Sequence, residues 1–150
     1  MPKEIRRLAF SHTETTKAIH NYSQNFDMVL PEGKILHARF ATAGEENKAG
    51  DEFDHSAIFQ AYNVTASKNN LILTFYEEDT FEHRYCNLKA DFVSAALVDY
   101  CLNHKIMMPK KGTKTLDVTE FNICLDIIMD IAVENENEPL SFADENEFAD

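Results

Sequence analysis

Apolar residues recur at two spacings along this chain, and each spacing predicts a different kind of element. Alternation with a period of two is typical of a strand with one buried face, whereas apolar residues three and four positions apart are typical of a helix. Strands are therefore predicted at residues 4–10, 35–41, 57–66, 71–77, 81–86, 114–118 and 121–131.

Two helices are predicted among these strands. Ser11 and Glu14 form a capping-box pattern, which marks the start of a helix, and apolar residues at helical spacing follow it. A second helix is predicted within the apolar stretch 88–102. A proline stands a few residues beyond each helix, at Pro31 and Pro109, where it disfavours further helical turns.

The predicted order of elements, β-α-β-β-β-β-α-β-β, indicates an α+β fold. An antiparallel meander with both helices on one face would bury the apolar stripe of each helix. Residues 1–133 are predicted to form a single domain with a polar loop at 43–54. Residues 134–150 are predicted to be an acidic, disordered tail.

The chain resembles itself at an offset of 78 residues, which places 4–10 over 82–88 and 18–31 over 96–109. The identical pairs are Glu4/Glu82, Arg6/Arg84, Ala18/Ala96, Tyr22/Tyr100, Asn25/Asn103 and Pro31/Pro109. Such matches also arise by chance between amphipathic helices, but here the order of elements agrees as well. We therefore predict a duplicated β-α-β-β unit, with halves at 3–66 and 81–131.

The second helix is more apolar than a helix on a sheet needs to be. A helix that packs on a sheet needs apolar residues along only one side. Ala95, Val98 and Leu102 lie toward another side of this helix and also need to be covered. These three residues are predicted to form the interface of a homodimer. The alternative is that a single subunit buries the whole helix.

Charge limits the classes of partner. The formal net charge is −12, and the last 17 residues hold seven acids and no base. This balance disfavours nucleic acids, whose phosphates are bound through Lys and Arg, and it disfavours anionic membranes.

Three cysteines without a CxxC pair do not suggest disulfides, and the N-terminus lacks the apolar core of a signal peptide. We predict a cytoplasmic protein.

Four residues have a spacing that resembles a zinc site, His83 and Cys86 followed by Cys101 and His104. Geometry argues against such a site. His83 and Cys86 should point to opposite faces of a strand, and Cys101 and His104 should lie near the far end of the second helix, far from its beginning. A catalytic Cys101–His104 pair is also disfavoured, because apolar surroundings raise the pKa of a thiol. The sequence therefore predicts no catalytic residue, no metal ligand and no cofactor.

The densest positive cluster follows the second helix. Its members are Lys105, Lys110, Lys111 and Lys114. One interpretation is a solvated basic turn. The other is a contact for an acidic segment, either the chain's own tail or part of a partner.

Two resemblances extend this picture. The stretch 99–118, DYCLNHKIMMPKKGTKTLDV, is similar to small uncharacterised proteobacterial α+β proteins, which implies the duplicated unit. The size, acidity and element order over residues 11–131 resemble the type III secretion chaperones, although the predicted order has an extra strand and lacks a third helix after residue 131. That resemblance implies a cytosolic homodimer that binds an unfolded stretch of another protein.

These observations favour a non-enzymatic adaptor or chaperone-like protein that binds a protein or peptide. A first alternative is a small-ligand-binding domain or enzyme with a pocket between sheet and helices, near Tyr100 or His104. A second alternative is an acidic mimic of nucleic acid that occupies a basic cleft of another protein.

Overall fold

The computed structural model describes residues 2–42, 53–67 and 69–131. Most of the predicted loop at 43–54 and all of the acidic tail lie outside these ranges. In chain order the elements are β1 (Lys3–Ser11), α1 (His12–Ser23), a 3-10 turn (Gln24–Phe26), β2 (Lys34–Phe40), α2 (Ser56–Tyr62), β3 (Asn70–Glu77), β4 (Glu82–Lys89), α3 (Ala90–Asn103), β5 (Thr113–Val118) and β6 (Asn122–Asp130). No described helix is long and apolar enough to cross a membrane.

The strands form two three-stranded antiparallel sheets, which confirms the α+β class. The second sheet has the order β2-β3-β4 and is a meander of consecutive strands. The first sheet has the order β1-β6-β5, so the strands do not form the single meander that was expected. Its central strand β6 is largely buried, so its backbone donors and acceptors on both edges need partners from neighbouring strands. β1 supplies one of these neighbours, with Ile5 opposite Ile128.

The start of α1 follows the predicted capping box. The Ser11 hydroxyl accepts a hydrogen bond from the Glu14 backbone N–H at 3.1 Å, and the Glu14 carboxylate accepts one from the Ser11 N–H at 2.9 Å. Both groups satisfy backbone donors that a helix leaves unpaired at its first turn. The apolar stripe of α1, which includes Ala18, Ile19 and Tyr22, is buried against α3 and β2.

The structure changes the interpretation of the second predicted helix, α3. Every residue from Ala90 to Val98 is buried, and Ala95 and Val98 have no exposed surface. The cover comes from within the chain, because α3 packs against α1, α2, β4 and β5. Ala95 and Val98 therefore have no apolar surface to offer a second subunit, and only Leu102 is exposed, at 43%. The homodimer stays a prediction, but its main sequence argument no longer holds.

The predicted strand at 57–66 is wrong, because Ser56–Tyr62 forms the short helix α2. Ile58, Phe59 and Tyr62 lie at helical spacing and pack partly buried against the core. A short apolar run of this kind fits both periods, so the pattern alone does not separate strand from helix. After the helix, Val64 forms a single parallel bridge with Lys114 at the edge of the first sheet.

Positions about 78 residues apart have similar backbone geometry. Ser11 and Lys89 are both extended residues that cap the helix which follows. Asp27 and Lys105 both adopt a left-handed conformation after a helix, with φ of 54° and 56°. Gly33 and Gly112 precede equivalent strands with φ of 105° and 89°.

The strand ladders agree in the same way. Arg7 faces Asp126 in the first sheet, and Tyr85, which is 78 positions later, faces Thr74 in the second. The first sheet thus combines β1 of the first predicted half with β5 and β6 of the second, whereas the second sheet combines β4 of the second half with β2 of the first half and with β3, which lies between the predicted halves. A duplicated unit that exchanges its first strand would have this arrangement, and the duplication itself stays a prediction.

Candidate functional site

The second sheet packs one face on the helices and turns the other face outward. Buried residues alternate along its strands and point toward the helices; they include Ile35, Ala38, Leu71, Leu73, Phe75 and Leu88. The residues between them point the other way. We call these the outer face of the second sheet; they are Lys34, His37 and Arg39 of β2, Ile72, Thr74 and Tyr76 of β3, and His83, Tyr85 and Asn87 of β4.

This outer face is basic and aromatic, and none of its nine positions is an Asp or a Glu. Tyr85 stands out from β4 with 74% of its surface exposed. The rings of Tyr76 and His83 lie against each other with their centres 4.9 Å apart. A bulge in β2 adds Leu36, which is 50% exposed. The face therefore offers cations, aromatic surface and apolar surface together.

The outer face of the first sheet has the opposite character, because its charges are paired on the face itself. The Arg7 guanidinium donates hydrogen bonds to both carboxylate oxygens of Asp126 at 2.7 and 2.8 Å and to Asp117 at 2.7 Å. These bonds raise the pKa of Arg7 above its ordinary value. Cys124 lies beneath this network and is 1% exposed. An outside anion would have to displace carboxylates that are already bound.

The same positions in the second sheet carry different residues. Tyr85, Thr74 and Arg39 take the places that Arg7, Asp126 and Asp117 occupy in the first sheet. A cation thus replaces Asp117, and an exposed aromatic ring replaces the paired arginine. The second sheet has no carboxylate at these three positions.

A shallow cleft of about 270 Å³ adjoins this outer face at Lys34 and Tyr76. Its other walls are mostly acidic, and they comprise Glu32, Gly33, Glu77, Glu78 and Asp79. Lys34 approaches Glu78 at 3.9 Å, so its charge is partly balanced there. The outer face is therefore bordered by carboxylates at the end that carries Lys34 and Tyr76.

The predicted lysine cluster is only partly a surface feature. Lys105, Lys110 and Lys111 are exposed, but Lys114 is fully buried on the helix side of β5. The Lys114 ammonium group donates to the backbone carbonyls of Gly112 at 3.0 Å and Lys111 at 3.4 Å. Burial lowers the pKa of Lys114, because the charged form loses its hydration. The prediction that Lys114 contacts an acidic segment is incompatible with this position.

The residues of the zinc-like pattern lie in different surroundings. His83 is exposed on the outer face of the second sheet and Cys86 is partly buried. Cys101 is fully buried, whereas His104 is exposed and stacks on Tyr100 with ring centres 4.0 Å apart. Within the described ranges, no three His, Cys, Asp or Glu side chains lie close enough to hold a metal ion. Burial raises the pKa of both the Cys86 and the Cys101 thiol to about 11.

A buried histidine anchors the segment before α2. The Tyr22 hydroxyl and His55 Nδ1 are 2.8 Å apart, and the rings of Phe26 and Phe92 approach the His55 ring edge to face. His55 Nε2 is buried and has no hydrogen-bond partner among the residues described. Burial lowers the pKa of His55 and raises that of Tyr22 to about 12. The neutral imidazole is therefore the form that fits this site.

Sequence reasoning missed the outer face of the second sheet, although part of the signal was present. The alternation in β2 and β4 places His37 with Arg39, and His83 with Tyr85, on one face of each strand. Which strands would be neighbours was not readable from the pattern, so these pairs could not be combined into one surface. Comparison of the chain with protein-family models, curated proteins and solved structures finds no match.

Proposed function

We propose that this chain is a non-enzymatic protein that binds a polypeptide partner through the outer face of the second sheet. The observation that supports this most directly is Tyr85, which is 74% exposed on a face with cations and no carboxylate. The partner segment would supply apolar side chains for the ring and acceptor oxygens for the imidazoles of His37 and His83.

The chemistry of the face suits such a segment. Tyrosine is enriched among the residues that dominate binding energy, because it buries a large rigid surface with little loss of side-chain entropy. Leu36 and Ile72 extend the apolar area around it. The imidazoles of His37 and His83 provide hydrogen-bond donors, which favour specificity.

The state of the thiols supports a binding role over a catalytic one. A nucleophilic cysteine needs a lowered pKa and access to solvent. Cys101 has no exposed surface, and burial raises the pKa of both Cys86 and Cys101. These residues act as core packing in the described part of the chain.

The test uses the full-length, ¹⁵N-labelled chain and two short synthetic peptides. One peptide alternates Glu and Phe, and the matched control carries Lys at each Glu position. We expect the acidic peptide to shift the amide signals of Leu36, His37, Thr74 and Tyr85, and the basic peptide to leave them in place. Tyr85→Ser should weaken binding at least about tenfold. Ile5→Ser, on the outer face of the first sheet, is the control that should change nothing.

Two results would count against the proposal. The first is shifts that fall outside the face for both peptides. The second is tighter binding of an oligothymidylate to the same face, which would indicate a nucleic-acid platform instead.

A further inference from the structure

We infer that two copies of this chain associate through the open edge of β1, in an antiparallel pair centred on Ile5. β1 stands at the end of the strand order β1-β6-β5, so only one of its edges is paired with a described strand. This interface differs from the one predicted at Ala95, Val98 and Leu102. It lies on the first sheet and does not rest on the proposed function, so a change at Ile5 that weakens the dimer leaves peptide binding to the second sheet unchanged.

The hydrogen bonds of β6 fix the alternation of its two ladders at both edges. The Ile131 N–H donates to the Pro2 carbonyl at 2.9 Å, which makes Pro2 and Ile131 a hydrogen-bonded pair. On the opposite edge, the Asn122 carbonyl accepts from the Thr119 N–H at 2.9 Å. Hydrogen-bonded and non-hydrogen-bonded pairs alternate along an antiparallel ladder. Odd-numbered residues of β6 therefore bond to β1, and even-numbered residues bond to β5.

This alternation determines which backbone groups of β1 point to its open edge. Glu4 and Arg6 lie opposite odd-numbered residues of β6 and exchange hydrogen bonds with them. The N–H and C=O groups of Lys3, Ile5 and Arg7 point the other way, where no described strand pairs with them. Such a row of backbone groups can pair with the edge of another chain. A second copy of β1 presents the same row, so two copies can satisfy each other.

The charges of β1 select one register for this pairing. Glu4 and Arg6 are exposed, and neither has an ion-pair partner among the described residues. With Ile5 opposite Ile5 of the second copy, Glu4 lies opposite Arg6 of the second copy, and Arg6 opposite Glu4. These are non-hydrogen-bonded pairs, whose Cα atoms are only about 4.5 Å apart, so opposite charges there stabilise the pairing. The two nearest alternative registers put Glu4 opposite Glu4 or Arg6 opposite Arg6.

The other contacts of this register are compatible with it. Ile5 is 70% exposed and would bury apolar surface against its counterpart. Lys3 would lie opposite Arg7 of the second copy, but each of these cations has a carboxylate on its own chain. Lys3 approaches Asp130 at 4.0 Å, and Arg7 binds Asp126 at 2.7 Å. Charged residues usually protect an edge strand from pairing. In β1 they oppose the shifted registers and fit this one.

The equivalent strand β4 ends the second sheet and carries the same Glu-x-Arg pattern, but its charges are used within the strand. Arg84 donates a hydrogen bond to Glu82 at 2.8 Å. The residue between them is His83, whose ring lies against that of Tyr76, whereas β1 has the exposed Ile5 at this place. We therefore assign the contact to β1 rather than to β4.

The experiment measures molar mass by sedimentation equilibrium of the 150-residue chain at increasing concentration. Interfaces that bury less than about 1,000 Å² are weak or transient. We therefore expect a mass that rises from that of a monomer toward twice that value. The net charge of −12 opposes association at long range. The measurement is therefore made at about 0.15 M salt, where charges are screened beyond about 8 Å.

A charge exchange tests the register. Glu4→Arg and Arg6→Glu each place like charges opposite each other in the dimer, and each should raise the dissociation constant at least about tenfold. An equal mixture of the two variants should regain the mass of the parent, because each arginine then faces a glutamate. A variant that had merely lost its fold would not regain mass on mixing. Glu82→Arg and Arg84→Glu are the matched controls on β4, and they should leave the mass unchanged.

Amide hydrogen exchange tests the backbone pairing. The Ile5 N–H should exchange more slowly as the protein concentration rises, because it becomes hydrogen-bonded in the dimer. The Arg6 N–H, which is bonded to β6 in either state, is the internal control and should not depend on concentration.

Four results would overturn the inference. These are a parent chain that stays monomeric at every concentration, a mixture of variants no heavier than each alone, a loss of mass caused by the β4 controls, and an Ile5 exchange rate independent of concentration.

Discussion

The outer faces of the two sheets have matching strand registers but opposite surface chemistry. Arg7 in the first sheet binds Asp126 and Asp117, so its face satisfies its own charges. Tyr85, Thr74 and Arg39 occupy the matching places in the second sheet and leave an aromatic ring exposed. Similar backbones can thus carry one face suited to stability and another suited to binding. This difference is why we assign the proposed binding to the outer face of the second sheet.

The largest expected effect concerns the glycines that begin the equivalent strands β2 and β5. A Cβ on Gly33 would overlap the backbone carbonyl of Tyr76, which cannot move without breaking the second sheet. A Cβ on Gly112 would instead meet the Met129 side chain at 2.6 Å, and that side chain can turn away. Both residues have positive φ, which strains any other residue.

We therefore expect Gly33→Ala to lower the free energy of unfolding by about 3 kcal/mol and Gly112→Ala by about 1–2 kcal/mol. Urea unfolding followed by circular dichroism measures both values. Equal losses of unfolding free energy would show that both positions tolerate alanine equally, which would contradict this prediction.

The next effect is a dependence of folding stability on pH, which we expect from buried histidines in the first predicted half of the chain. α1 carries His12 and His20, where α3 has Ala90 and Val98, and both histidines have a pKa lowered by burial. His55 has its pKa lowered mainly by burial as well. A histidine that stays neutral in the folded state contributes stability above its unfolded pKa of about 6.5, and this contribution is lost as the pH falls below that value.

Stability should therefore fall between pH 7 and pH 5, with His55 contributing at most about 1.4 kcal/mol per pH unit. The charges near His55 are those of Asp54, Asp91 and Lys89, and they are of mixed sign. His55→Leu should make the dependence shallower, although it also removes the hydrogen bond with Tyr22. Urea midpoints of both proteins at several pH values provide the test, and an unchanged slope would contradict it.

A smaller effect distinguishes the two outer faces directly. Arg7→Met removes the paired cation of the first sheet, and Tyr85→Met changes the equivalent position of the second sheet. The Arg7 change should lower the urea midpoint by roughly 0.5 M or less at low salt, and by less in 1 M NaCl. The Tyr85 change should leave the midpoint unchanged, since its ring is mostly exposed. A larger loss for Tyr85→Met would show that this ring stabilises the fold.

The smallest effect is expected at Leu102, the exposed member of the predicted dimer interface. Leu102→Ser should change the free energy of unfolding by less than about 0.5 kcal/mol. Light scattering should give the same molar mass for the variant and the parent chain. A mass that halves on substitution would restore Leu102 as an interface residue.

Local patterns were enough to predict most of the elements. Ser11 and Glu14 marked the start of α1, and six of the seven predicted strands match strands of the structure within three residues at each end. The helix at Ser56–Tyr62 was missed because a short apolar run fits both periods. The cover over Ala95 and Val98 was missed because it comes from elements distant in the chain. The outer face of the second sheet depends on strand neighbours, which spacing alone does not specify.

The pairing of β1 with β6 has a consequence for synthesis of the chain on the ribosome. β2, β3 and β4 can associate once residue 89 has emerged, because all their partners are then available. β1 emerges before these three strands but must wait for its partner β6 at Asn122–Asp130, which follows them in the chain. Until then β1 is an unpaired strand of a nascent polypeptide, open to aggregation or to chaperones. The second sheet is thus complete well before the first.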